Sequence, residues 1–290
     1  MYAITGVTGK VGGALARALR AANQPVRAIV RDARKADAWA RLGCEIAIAT
    51  LEDTTALTRA FTGATAAFIL PPSEFDPEPG DPAGRALIRG VAAAISAARP
   101  SRVLCLSTIG ADAPHANLLT VRLWMEDALR GLGVPLTILR AGWFLDNSVW
   151  DVESARAEGI LHSFLQPLDR KYPMVAAKDV GRVAAELIQQ AETATRVVEL
   201  EGPSRVSPNE LAAAFAHALG TPVRAEAVPR ASWEPLFRSQ GMKHPEPRIR
   251  MLDGFNEGWI EFHDGGARAR KGTIDVGTAI AALVAAAPSA

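Results

Sequence analysis

Along the first half of the chain, short apolar-rich runs alternate with stretches in which apolar residues recur every three or four positions. Residues 2–4, 26–30, 45–49, 66–70, 103–107 and 136–140 read as short strands, and a segment of helical periodicity precedes each one after the first. Val11, Leu15 and Leu19 mark one face of the first such helix. Leu87, Val91 and Ile95 form an i, i+4, i+8 stripe between Asp81 and Arg99, where Pro100 is expected to stop the helix. Alternation of this kind predicts an α/β fold with a doubly wound parallel sheet, helices covering both faces. Right-handed crossovers then bring the carboxyl ends of strands one, two, four and five to a common crevice, where a ligand is expected.

The pattern changes after Arg140. Aromatic residues accumulate in irregular surroundings: Trp143, Phe144, Trp150, Phe164, Tyr172, Trp233, Phe237, Phe255, Trp259 and Phe262. A striped helix over 179–190 and a strand over 197–200 can still return to the main sheet. Ser207, Pro208 and Glu210 spell a capping box with proline at the first helical position, and Gly220 supplies the stop. An alanine-rich helix is expected over 277–287.

Composition narrows the function classes. With 290 residues, 49% hydrophobic and 22% charged, the chain has the makeup of an ordinary globular protein. A formal net charge of +1 and the absence of any basic block give no field that would gather nucleic acid or an anionic membrane. Cys44 and Cys105 are the only cysteines and lack metal or CxxC spacing, as do the surroundings of His162 and His263, so no metal and a reducing, cytoplasmic setting are expected. The first strand starts too early to leave room for a signal peptide, and no apolar stretch is long enough for a membrane span.

The strongest chemical signal is the run Thr5-Gly6-Val7-Thr8-Gly9-Lys10-Val11-Gly12, a TGxTGxxG pattern placed between a strand and a helix. Gly6 permits a tight turn, Gly9 lets backbone N–H groups approach a pyrophosphate, and Gly12 lets the helix pack on the strand. Phosphate charge would then sit at the positive end of the helix. The expected organisation is a dinucleotide-binding Rossmann domain over 1–145, with return elements near 173–200, and a smaller α/β substrate-side subdomain over 146–290.

Taken together, several segments resemble a known family. They are TGxTGxxG, Arg31 at the end of the second strand, Phe68-Ile69-Leu70-Pro71-Pro72, Leu106-Ser107-Thr108-Ile109-Gly110, Thr137-Ile138-Leu139-Arg140 with Gly142-Trp143-Phe144-Leu145-Asp146-Asn147, and Val175-Ala176-Ala177-Lys178-Asp179-Val180-Gly181. The set is similar to the NmrA-like branch of atypical short-chain dehydrogenases. The resemblance implies a dinucleotide site that includes Leu70, Pro71, Ser107 and Thr108. It does not fix a reaction, because such proteins include quinone and azo reductases, aromatic-substrate reductases and cofactor sensors that catalyse nothing.

Arg31 stands where this fold chooses between a ribose hydroxyl and a ribose phosphate. A guanidinium fork there suits the adenosine 2′-phosphate and argues for NADP(H), with Lys35 one turn on in support. Asp32 is adjacent, and in its place a carboxylate would accept from the free hydroxyl of NAD(H). Arg31, Arg34 and Lys35 can also be read as a solvated helix start. Neither tyrosine, Tyr2 nor Tyr172, is followed by lysine at the fourth position, and no lysine falls between Lys35 and Lys171, so the usual tyrosine–lysine mechanism is absent.

Aligned with the family, Glu126 falls at its helix glutamate and Arg122 where many active members carry lysine or histidine. On spacing alone the two form an i, i+4 ion pair. His115, in the loop after the fifth strand, could supply a proton. Ser107 and Thr108 can either bond a ligand or cap a strand end. Trp143, Phe144 and Trp259 would suit a flat ligand or plain core, and Asn147 could orient a substrate or tie its own loop. These features favour an NADP(H)-dependent oxidoreductase acting on a small aromatic or quinone-like molecule without flavin. The alternative is an NADP(H)-sensing protein that acts through a protein partner, and a homo-oligomer is compatible with either.

Overall fold

The computed structural model describes residues 1–287. Its first half runs β1 (Tyr2–Ile4), α1 (Lys10–Ala21), β2 (Val26–Val30), α2 (Asp37–Arg41), β3 (Glu45–Ile48), α3 (Thr54–Phe61), β4 (Ala66–Ile69), α4 (Pro82–Ala98), β5 (Arg102–Thr108), α5 (Thr120–Arg130) and β6 (Leu136–Ala141). Then come β7 (Trp143–Phe144), a 3₁₀ stretch Leu145–Asp151, α6 (Val152–Glu158), β8 (Ile160–Ser163), β9 (Met174–Val175), α7 (Ala177–Gln189) and β10 (Arg196–Glu201). The chain closes with α8 (Pro208–Leu219), β11 (Arg224–Ala227), α9 (Trp233–Ser239), α10 (Glu246–Glu257), β12 (Arg270–Lys271) and α11 (Val276–Ala286).

The eight-stranded sheet is parallel throughout and ordered β12-β10-β6-β5-β4-β1-β2-β3. Connections run outward from β1 to β3, then restart at β4 on the other side of β1. Strand order therefore reverses between β1 and β4, and the crevice beyond their carboxyl ends is the expected ligand position. The expected runs at 45–49 and 66–70 each end one residue early, whereas β5 and β6 extend beyond the predicted ends.

Two cores sandwich the sheet. On one face Val11, Leu15 and Leu19 of α1 and Val180, Val183 and Leu187 of α7 pack over Ile4, Ala28 and Leu139. On the other, Leu57, Phe61, Val91, Ile95 and Met125 pack over Ala3, Ala67, Ile69, Cys105 and Ile138. Each fully buried Leu or Ile contributes about 1.5–3 kcal/mol relative to exposure. Helices α1 and α7 meet closely because Gly181 lacks a side chain: a Cβ there would lie 2.5 Å from Ala14 Cβ and 2.7 Å from Val11 O. A third core, built on Trp233, Phe237, Phe215, Phe255 and Tyr172, fills the second half. The capping box is formed, Ser207 Oγ accepting from Glu210 N and Glu210 Oε2 accepting from Ser207 N.

Candidate functional site

The crevice floor is the turn from β1 into α1. Thr5 laces the switch point shut: its Oγ1 donates to Phe68 O at 2.9 Å and accepts from Leu70 N at 2.9 Å. That accounts for Leu70 leaving the strand. Gly6 lies in the left-handed region at φ +67°, and a Cβ on it would come 2.5 Å from Leu70 Cδ2. Gly12 packs tighter still, since a Cβ there would lie 2.3 Å from Gly6 O. At Gly9 the backbone is extended, its N–H donates to Gly6 O at 2.9 Å, and a Cβ would meet only Gly6 O, at 3.3 Å.

Helix α1 begins immediately after Gly9 with no side-chain cap and no acid in its first turn. Its leading N–H groups, those of Lys10, Val11 and Gly12, have no intrahelical acceptor, and Thr8, Gly9 and Lys10 are exposed. Uncapped donors at the positive end of a twelve-residue helix favour an anion. Lys10 is occupied elsewhere: its Nζ lies 3.0 Å from Asp146 Oδ1, and Asp146 Oδ2 accepts from Ala177 N at the start of α7.

Beside this loop, β2 ends at Val30 and Arg31 projects outward, exposed and, among the described residues, without a hydrogen-bond or ion-pair partner. Asp32 is used differently. Its carboxylate accepts from Arg34 N at 2.9 Å and from Arg34 Nε, and these hydrogen bonds hold it below the usual aspartate range. Lys35 is exposed on the same turn.

The ends of β5 and β6 carry a buried charge network. Glu126 on α5 is fully buried and accepts from Ser107 Oγ at 2.5 Å, from Arg140 Nε and Nη2 at 3.0 and 2.7 Å, and from Arg130 Nη2 at 3.2 Å. Arg140 also donates to Asp112 Oδ2 at 2.5 Å. Burial opposes its charge, but the two carboxylates outweigh that and hold the guanidinium above its usual value. The expected Arg122–Glu126 pair does not form. Arg122 instead donates to Pro72 O at 3.0 Å and Ser73 Oγ at 3.4 Å, fastening the loop after β4 to α5. Thr108 is half-buried at the strand end.

The aromatic residues divide between two cores because β7 alternates. Its parallel partner β9 holds Trp143 beside Met174 and Phe144 beside Val175. Trp143 meets Phe255 edge-to-face at 5.3 Å on the third core, while Phe144, like Leu70, packs against the core under the glycine loop. Trp259 rests on Gly254 of α10, its Nε1 donating to Glu257, and His115 sits edge-to-face on it at 5.1 Å. His115 is exposed, and Asn147 is half-buried in the 3₁₀ stretch. Pro71 is buried beside Leu70. Neither tyrosine faces the crevice as an acid: Tyr2 is buried in β1, and Tyr172 donates its hydroxyl proton to Gln166 O.

A depression of about 670 Å³ lies elsewhere, along β10, lined by Arg130, Arg140, Arg196, Glu199, Arg268 and Arg270 and by none of the glycine-loop residues. Among the described residues no His, Cys, Asp and Glu side chains gather in a metal-binding group, and no helix is long and apolar enough to cross a membrane.

The model of the NmrA-like family matches residues 2–252. Quinone oxidoreductase 2 of Escherichia coli (strain K12) is 29% identical over 245 residues, 83% of this chain and 82% of that protein. NAD(P)H azoreductase of Xenophilus azovorans is 27% identical over 263 residues, 89% of this chain and 85% of its own length. Among solved structures, the E. coli NADPH-dependent quinone oxidoreductase complexed with NADPH superposes with a TM-score of 0.79 at 26% identity, covering 98% of this chain and 99% of that one.

Proposed function

The chain belongs to the NmrA-like family, and on that premise we propose that it is an NADP(H)-dependent oxidoreductase that reduces a quinone-like or other conjugated small molecule without flavin. The observation that carries this reading is the uncapped start of α1, opening over Gly6, Gly9 and Gly12 and flanked by an unpaired Arg31. Bound there, the dinucleotide supplies a hydride. Gly6, Thr8, Gly9, Lys10, Val11 and Gly12 form its phosphate bed, Arg31 and Lys35 face the 2′-phosphate, and Leu70, Pro71, Ser107 and Thr108 wall the nicotinamide end.

Ser107 has a restricted role. Its proton is committed to Glu126, so towards a ligand its oxygen acts as an acceptor. With both tyrosines engaged in the fold, no tyrosine acid faces the crevice among the described residues, which suits an acceptor whose own reduction potential drives the reaction. Trp143, Phe144, Asn147 and Trp259 make the acceptor side, and His115 beside Trp259 is the proton source. In this arrangement most of residues 1–145 serves the cofactor, while Trp143 and Phe144 at the end of that stretch and residues beyond 145 serve the acceptor.

Steady oxidation of NADPH by a panel of quinones tests the proposal. Tight NADPH binding with no turnover of any quinone or azo compound would replace it with the sensor reading.

A further inference from the structure

Few large apolar side chains stay exposed in this fold: Leu42, Ile48, Phe75, Val149, Trp150 and Val197. Two of them meet. Phe75, in the loop after β4, and Trp150, in the 3₁₀ stretch, are 46% and 67% exposed, with ring centroids 6.2 Å apart and planes at 82°. Val149, next to Trp150 in sequence, is exposed as well.

Both rings stand on anchored backbone. The loop bearing Phe75 is tied down on one side by Arg122 through Pro72 O, and on the other by Asp76, whose carboxylate accepts from Lys243 N at 2.8 Å and His244 N at 2.6 Å. Trp150 follows Asp146, which is bonded to Lys10 and to the start of α7. Their position follows from three contacts that close a ring. Gly6 touches Leu70, Lys10 pairs with Asp146, and Phe75 meets Trp150. Segments of four or five residues join these contacts, so chain reach holds the Cα of Phe75 within about 18 Å of that of Leu70, and the Cα of Trp150 within about 14 Å of that of Asp146.

The 3₁₀ geometry adds a polar neighbour. Residues three apart eclipse one another in such a helix, so Asn147 shares a face with Trp150, whereas Leu145 and Ser148 are buried. We infer that Phe75 and Trp150 are the face on which the acceptor's ring system stacks at the crevice mouth, making the site selective for extended planar acceptors. This inference rests on the reductase reading above. Edge-to-face pairing at this angle leaves a ring face open to stack on a flat π system, while the other ring presents its edge. A tryptophan left two-thirds bare beside a second exposed ring is an apolar surface that a flat partner would cover.

The test uses Trp150→Ala, Phe75→Ala and Trp150→Phe, each checked for a native melting profile. Binding is read by calorimetry with pyrene-1-sulfonate, which is planar and not reduced, against benzenesulfonate as a control for the anionic group. Either alanine variant should weaken pyrene-1-sulfonate about tenfold, Trp150→Phe should retain it within about threefold, and benzenesulfonate should show no comparable loss. In turnover, the KM of a three-ring quinone should rise about tenfold in Trp150→Ala, with that of p-benzoquinone little changed. Unaltered pyrene-1-sulfonate affinity, or equal KM changes for the two quinones, would overturn the stacking face. So would a wild-type dimer that Trp150→Ala splits in sedimentation, since the patch would then be a subunit contact. If no quinone is turned over but pyrene-1-sulfonate binding still depends on Trp150, the stacking face stands and the reductase reading fails.

Discussion

Arg31 offers the sharpest check on the cofactor, because its removal should affect binding and nothing else. Most arginines near the sheet ends are held by carboxylates, but Arg31 is exposed and has no partner among the described residues, so Arg31→Ala should leave the melting temperature unchanged. A charge-assisted hydrogen bond to a phosphate is worth about 1.5–3 kcal/mol, which converts to a loss of roughly 10- to 150-fold in NADPH affinity. NADH should lose less than about twofold. The neighbouring residues sharpen the contrast. Asp32 is spent on Arg34, and that guanidinium is largely exposed, so Arg34→Ala should cost little stability while freeing Oδ2 of the carboxylate, Oδ1 still accepting from the backbone N–H of residue 34. Arg34→Ala should therefore strengthen NADH, whose ribose hydroxyl can donate to Asp32, and weaken NADPH. Calorimetric titration of both cofactors into wild type and the two variants reads all of this. Equal losses of NADPH and NADH in Arg31→Ala would refute the phosphate assignment, and no gain for NADH in Arg34→Ala would show that Asp32 does not face the ribose.

The glycines should separate folding from binding. Gly9→Val should fold and lose NADPH binding, whereas Gly12→Val, facing a backbone oxygen at 2.3 Å, should lower thermal stability as well, as melting curves and titrations would show. Removing the charge in Glu126→Gln leaves Arg140 only the half-exposed Asp112 and should cost about 3–5 kcal/mol, measured by denaturant unfolding; a loss under 1 kcal/mol would mean that the network contributes little. Burial pushes the Asp151 carboxyl up to about 7, against the Ser148 hydrogen bond and the His162 charge, from 3.8 when unfolded. The folded chain thus binds more protons between these values, so stability falls as pH rises from about 4 to 7. Asp151→Asn should melt higher than wild type at pH 8 and gain little at pH 4.5, and a pH-independent difference would contradict this. Quinones should be reduced while simple ketones are not, and His115→Ala should slow quinone reduction by no more than about 10²-fold; efficient ketone reduction would reveal an acid missed in the crevice.

The sheet was legible because each strand and its helix announce themselves locally, through short apolar runs buried on both faces, period-3.6 burial in the helices and the turn chemistry between them. What escaped was decided at a distance. The spacing of Arg122 and Glu126 looks like a surface pair, yet Glu126 is claimed by Arg140, which β6 delivers beneath α5 from fourteen residues away. One signal was available: an arginine inside the otherwise uncharged run Leu136–Ala141, buried at every position, requires a buried counter-charge. Asp146 is a similar case, reaching thirty-one residues to cap α7 while pairing with Lys10. Strands β7, β9 and β12 are two residues long, too short to carry any periodicity. Trp150 was visible only as one of many aromatic residues after Arg140, and its meeting with Phe75 gave no sign, since neither sits in a patterned element and the contact depends on two loops that the switch point draws together. The buried network can thus be anticipated from one misplaced charge, whereas the crevice mouth has to be read from the fold, because loops joining different strands carry specificity while the scaffold beneath them is fixed by local pattern.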